Sequence, residues 1–213
     1  MHPFRDGDTF STFRNMVNKA VAEINSLDNN YVLKASLSEL EEHFVEIVII
    51  EPLVLYSDKR YIKNQSGTKI DLSIPFDGDP MLWRIRASTF SLSGYPEIEV
   101  GQNEIIFNVT FPDDSAQSDQ LLAEIDRNTK ILSEAVEYLK KDVNNHNKSA
   151  PNTIKQALEK KRTLAQSTTG AIAALGIPVK KPDEEPSLLY SLQFQQGNTN
   201  LNPFWKRKNI NTY

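Results

Sequence analysis

The densest grouping of side chains able to bind a ligand is Trp83-Arg84-Ile85-Arg86. Two guanidiniums on one face of a strand, beside an aromatic ring, can grip a phosphate or stack on a base. The competing reading makes Trp83 a core residue and pairs the arginines with Glu97, Glu99 or Glu104 across a sheet. That structural reading is the stronger, and Trp83, Arg84 and Arg86 stand beside it as the candidate ligand-binding residues. A second basic and aromatic cluster, Trp205-Lys206-Arg207-Lys208, could touch nucleic acid but carries few charges, and a solvated end accounts for it.

Other candidates have simpler explanations. Asp77-Gly78-Asp79 places two carboxylates around a glycine, but a calcium loop needs more oxygens and a distal glutamate in register. A turn explains it better. His2, His43 and His146 each lack a second ligand at helical or hairpin spacing, whereas zinc wants three or four convergent donors. His146 is expected at an exposed tip. Glu159-Lys160-Lys161 contains the Glu-x-Lys end of a nuclease metal motif, yet it falls in mid-helix, away from any strand or upstream aspartate. The chain has no cysteine and no P-loop, GxGxxG or GxSxG motif. Catalytic residues, metal ligands and cofactors are therefore expected to be none, with a hydrolase the least supported class.

A chain of 213 residues can bury a proper core. Its net charge of −4 is mild, which gives no reason for broad attraction to nucleic acid or membranes. The N-terminal MHPFRDGDTF has no apolar core of a signal peptide. The apolar run Phe44 to Tyr56 is interrupted by Glu46, Glu51 and Pro52 and is too short to span a bilayer. The expectation is a soluble, cytoplasmic protein without membrane contact.

The elements that must hold these residues follow from periodicity. Phe10, Phe13, Val17, Ala20, Val21, Ile24 and Leu27 share one face of a helix over 8–28, with Asp8 as N-cap and Asp28-Asn29-Asn30 as its stop. A second helix begins at Ser36 or Ser38 and turns Leu37, Leu40 and Phe44 inward. The segment from Ile47 to Tyr56 reads as an extended sheet edge or bend, since Pro52 cannot donate in a central strand. Residues 66–112 form the β region. Strands are expected at 69–74, at 82–87 with the arginines on one face, at Ile98 and Val100, and at 104–111, where Ile105, Phe107, Val109 and Phe111 alternate strictly.

From Ser115 to Gly176 the pattern predicts two long helices folded into an antiparallel hairpin across Asn144-Asn145-His146-Asn147-Lys148-Ser149-Ala150. Leu121, Leu122, Ile125, Leu132, Val136, Leu139 and Val143 make one apolar stripe. Ile154, Leu158, Ala165, Thr168, Ile172 and Leu175 make the other. Pro151 suits a first helical position, and Gly176 followed by Pro178 suits a stop. Residues 182–213, with Asp183-Glu184-Glu185-Pro186 as a linker, read as an irregular tail.

Two stretches carry a resemblance. One is Ile74-Pro75-Phe76-Asp77-Gly78-Asp79-Pro80-Met81-Leu82-Trp83 continuing to Arg86-Ala87-Ser88-Thr89-Phe90. The other is the hairpin end from Ala174 through Gly176-Ile177-Pro178 to Lys181. Together they resemble the N-terminal module of a poorly characterised group of bacterial proteins in which an endonuclease-like domain of the PD-(D/E)XK type often follows. Ala87 stands where that group has proline, and no nuclease motif follows Lys181. The resemblance implies a non-catalytic module in a restriction or phage-defence setting.

The fold class expected is α+β: a core at 1–114 with a small antiparallel sheet packed on N-terminal helices, then a helical hairpin at 115–181. The function expected is a non-catalytic interaction or adaptor module acting through the coiled-coil-like hairpin, with a protein partner or a homo-oligomer. Its outer face would present Lys140, Lys141, Lys155 and Arg162. The alternative is a nucleic-acid or nucleotide binder using the Arg84 and Arg86 face.

Overall fold

A computed structural model describes residues 1–90, 94–110 and 118–176. The mixed helix and sheet class expected from the sequence is present. Helix α1 (Thr9–Ser26) starts at Asp8, whose carboxylate accepts from the Ser11 N–H at 2.8 Å. Its buried face holds Phe13, Ala20 and Ile24, but Phe10 lies on the outside, 67% exposed, and does not join the stripe. Asp28 does not only end this helix. It caps a short helix, α2 (Asn29–Lys34), by accepting from the Tyr31 N–H at 3.0 Å. Helix α3 (Leu37–Val48) is capped by Ser36 and buries Leu40, Phe44 and Val48.

The sheet is built on β4 (Lys69–Asp77). On one side β4 pairs antiparallel with β7 (Glu104–Thr110) along most of its length. On the other side it pairs with β2 (Val54–Leu55) at one end and β3 (Tyr61–Ser66) at the other. Strand β6 (Glu99–Val100) closes the far edge on β7. Strict alternation puts Ile70, Leu72, Ile74 and Phe76 of β4 and Ile105, Phe107 and Val109 of β7 on the core face. Strand β3 is exposed throughout, which is why no apolar pattern announces it.

The strand expected over 82–87 is mostly a 3-10 turn, Pro80–Trp83. Only β5 (Ile85–Arg86) is extended, paired parallel with β1 (Gly7–Asp8). Proline at the first turn position and the Asp79 carboxylate, which accepts from the Met81 N–H at 2.9 Å, favour the turn over a strand.

The hairpin expected at 115–181 is replaced by one helix, α4 (Ser118–Ala174), with Pro151 inside it. Its 57 residues at about 1.5 Å each make it about 85 Å long. Two clusters of the core meet along it. Leu132, Val136, Leu139 and Val143 pack with the sheet face and Trp83. Ala150, Ile154 and Leu158 pack with α1, α2 and α3. The two stripes are buried only in part, with Leu122 of the first 52% exposed, and they face different parts of the body in succession instead of each other. Burial ends at Ala165; Ile172 and Leu175 of the expected stripe are 41% and 68% exposed. The boundary expected at 114/115 and the tail expected at 182–213 lie outside the described residues.

Candidate functional site

The middle of α4 is pinned to the body by polar side chains. The Asp142 carboxylate accepts three hydrogen bonds: from the Thr9 hydroxyl at 2.6 Å, the Ser88 N–H at 2.6 Å and the Ser88 hydroxyl at 2.7 Å. It thereby joins the start of α1, the loop after β5 and α4. One turn on, His146 is buried, not at an exposed tip as expected. Its Nε2 lies 2.7 Å from the Val48 carbonyl, and its ring packs 4.8 Å from that of Phe13. Asn147 then clamps Ile50, accepting from its N–H at 3.0 Å and donating to its carbonyl at 2.7 Å.

This cluster contains Ser, Thr, His and Asp, so a nucleophile relay has to be weighed. The geometry is wrong for one. A relay needs the histidine between hydroxyl and carboxylate. Here the carboxylate accepts the hydroxyl hydrogen bonds directly, while the imidazole Nε2 is on a backbone carbonyl. The arrangement is a brace.

Further along α4, two basic residues close helix ends. Lys161 is buried and its Nζ donates to the Asn25 carbonyl at 3.1 Å, in the last turn of α1. Arg162, expected on the outer face, is half-buried and reaches the Leu33 carbonyl of α2 at 3.5 Å. Cations at helix C-termini offset the partial negative charge of the free carbonyls there. Of the other three surface candidates, Lys140 is half-buried with Glu137 at 3.7 Å, Lys141 is exposed over the Tyr138 ring, and Lys155 is exposed.

Trp83 is fully buried between Phe4 and Phe76, with ring centroids 5.7 and 5.6 Å away. No face of its indole is open to a ligand. Arg84 lies 3.9 Å from Asp6, and the Arg86 guanidinium sits 4.3 Å from the centre of the Phe90 ring. Glu97 meets His2 instead, at 2.8 Å.

The carboxylate the sequence offered to an arginine, Glu104, belongs to a cluster on the outer face of the sheet. Lys63, Ser73 and Tyr61 all donate to it, and these hydrogen bonds, that from Lys63 foremost, hold its carboxyl down at about 2. Lys63 is raised in return, chiefly by the same bond. A bulge between Ile62 and Asn64 lets Lys63 reach that face.

The Asp77-Gly78-Asp79 turn is structural. Gly78 has φ +103°, and a Cβ there would sit 2.3 Å from the Pro52 carbonyl oxygen. Burial pushes the Asp79 carboxyl up. Among the described residues no group of three or more His, Asp or Glu side chains could hold a metal ion, and no helix is long and apolar enough to cross a membrane.

A shallow hollow of about 250 Å³ opens beside the brace, between Phe10 and Arg14 of α1, Ser88, and Asn145 of α4. The sequence reading missed it, because its walls come from three distant segments. The one available signal was Phe10, an aromatic residue at the first turn of a helix. No family model matches the chain, and no curated protein or solved structure matches it.

Proposed function

We propose that this chain is a non-catalytic interaction module, and that the end of α4 is an arm that pairs with the same segment of a second copy. One observation carries the reading. After Ala165 every residue of α4 is exposed except the half-buried Thr168, although Ile172, and Leu175 just past the helix end, are large and apolar. Their spacing continues the stripe that is buried at Ile154, Leu158 and Ala165.

Two features support a like partner. Residues 163–176 carry no charge, so two such ends can pack without like-charge repulsion. The run Ser167-Thr168-Thr169-Gly170 is also a poor helix former, costing roughly 2–3 kcal/mol against alanine. An uncovered helix end of that composition gains most from packing on something. The resemblance to modules that precede endonuclease-like domains supports the same class of function, in a bacterial defence setting.

Light scattering on a sizing column tests this. The chain of 24.2 kDa is expected to run at twice its mass as concentration rises, and Ile172→Asp or Leu175→Asp to return it to monomer with unchanged helicity. A strict monomer at every concentration would sink the reading.

A further inference from the structure

We propose that the hollow beside the Asp142 brace is a binding site for single-stranded nucleic acid, taking one unstacked base with its flanking phosphates. One arginine–phenylalanine pair lines it, and a second lies on the neighbouring segment that carries Ser88. Arg14 stands over the Phe10 ring at 4.9 Å, and Arg86 over the Phe90 ring at 4.3 Å. Phe10 is 67% and Phe90 41% exposed, so neither ring is explained by the core. Ser88, whose segment lines the hollow, lies two residues from both Arg86 and Phe90.

The exposed charges beside the hollow are the two guanidiniums, and the Asp142 carboxylate in its wall keeps its charge while its oxygens are engaged. Both oxygens of Asp142 are taken by Thr9 and Ser88. Asp8, the partner of Arg86 in the β1–β5 pair, is held as the α1 cap. The Ser11 N–H and, more weakly, the Arg86 charge keep its carboxyl low. The Arg14 guanidinium at the hollow and the Arg86 guanidinium on the segment beside it face solvent, each over a ring, with Asn145 at the wall. Aromatic faces beside cations suit bases beside phosphates, and only a single strand presents a base face to stack. This site is separate from the arm, and neither proposal depends on the other.

The test is fluorescence anisotropy with a labelled oligothymidylate. Two phosphate contacts predict a log–log salt slope of about −1.4, so affinity should fall about sevenfold between about 50 and 200 mM salt. Phe10→Ala should weaken binding about fivefold or more, as loss of one stacked base does. Arg14→Ala and Arg86→Ala should each reduce the slope by about 0.7. Phe10 is on the surface, and an unchanged circular dichroism spectrum would confirm that its variant folds. Three results would overturn the proposal: no binding at low salt, equal binding of duplex, or affinity indifferent to Phe10→Ala. Binding of adenosine monophosphate without binding of the oligonucleotide would overturn the polymer assignment as well.

Discussion

Asn147 holds Ile50 by both of its backbone groups, with Oδ1 accepting from the N–H at 3.0 Å and Nδ2 donating to the carbonyl at 2.7 Å. The side chain thus continues a hydrogen-bonding pattern for the chain just as it leaves α3, where the backbone has no strand or helix partner. Ile50 is itself buried. Asn147→Ala would leave both groups unpaired, at about 1–3 kcal/mol for each. We expect a loss of roughly 2–4 kcal/mol in urea unfolding. A loss under about 0.5 kcal/mol, the size of an ordinary surface change, would mean that water serves Ile50 equally well.

Gly78 and Gly67 separate two costs that both come with positive φ. Gly67, at φ +58°, joins β3 to β4 with nothing within 4 Å of an added Cβ. Gly67→Ala should cost about 1–2 kcal/mol, the strain of the left-handed region alone. Gly78 adds the collision with Pro52, and Gly78→Ala should cost roughly 3 kcal/mol or more. Equal melting temperatures for the two variants would contradict the close approach.

Much of the fold was legible because local signals and burial agree. Asp8 caps the helix it was expected to cap, Ser36 is the cap of the two serines offered for the next helix, and the alternation at Ile105, Phe107 and Val109 does mark a strand against the core. Where tertiary contacts override local preference, the reading failed. The Asn-rich stretch 144–150 has turn chemistry, yet His146 and Asn147 spend their polar groups on Val48 and Ile50, and Val143 and Ala150 are buried. Arg84 and Arg86 looked like one face of a strand because the 3-10 turn before them mimics alternation over so few residues. Beyond Phe10 the hollow left no trace in the sequence, since nothing in the spacing of residues 10, 88 and 145 brings them together.

The Glu104 cluster predicts an acid-sensitive sheet. Its carboxyl lies at about 2, below an ordinary value of 4.5. A lowered folded value stabilises the fold above the unfolded value, and that contribution is lost as pH falls from about 4.5 to about 2. The side chain is still 24% exposed, so water screens the effect and keeps it modest. Unfolding midpoints measured across that window should fall less steeply for Glu104→Gln than for the parent chain. Parallel curves for the two would place the acid sensitivity elsewhere.

Pro151 distinguishes a continuous α4 from two helices meeting at a turn. At the first position of a second helix, proline is favourable, because its missing N–H would have no partner anyway. In a helix interior it removes a hydrogen bond and its ring crowds the carbonyl four residues back, costing about 3 kcal/mol or more. Pro151 lies well inside the helix from Ser118 to Ala174, and the contacts of Asn147, Ala150 and Ile154 with the body offset that cost. Pro151→Ala should therefore stabilise the protein, by up to about 3 kcal/mol, and raise its helicity slightly. In a hairpin the same substitution would be neutral or destabilising, so a lowered unfolding midpoint would restore the turn at 144–150.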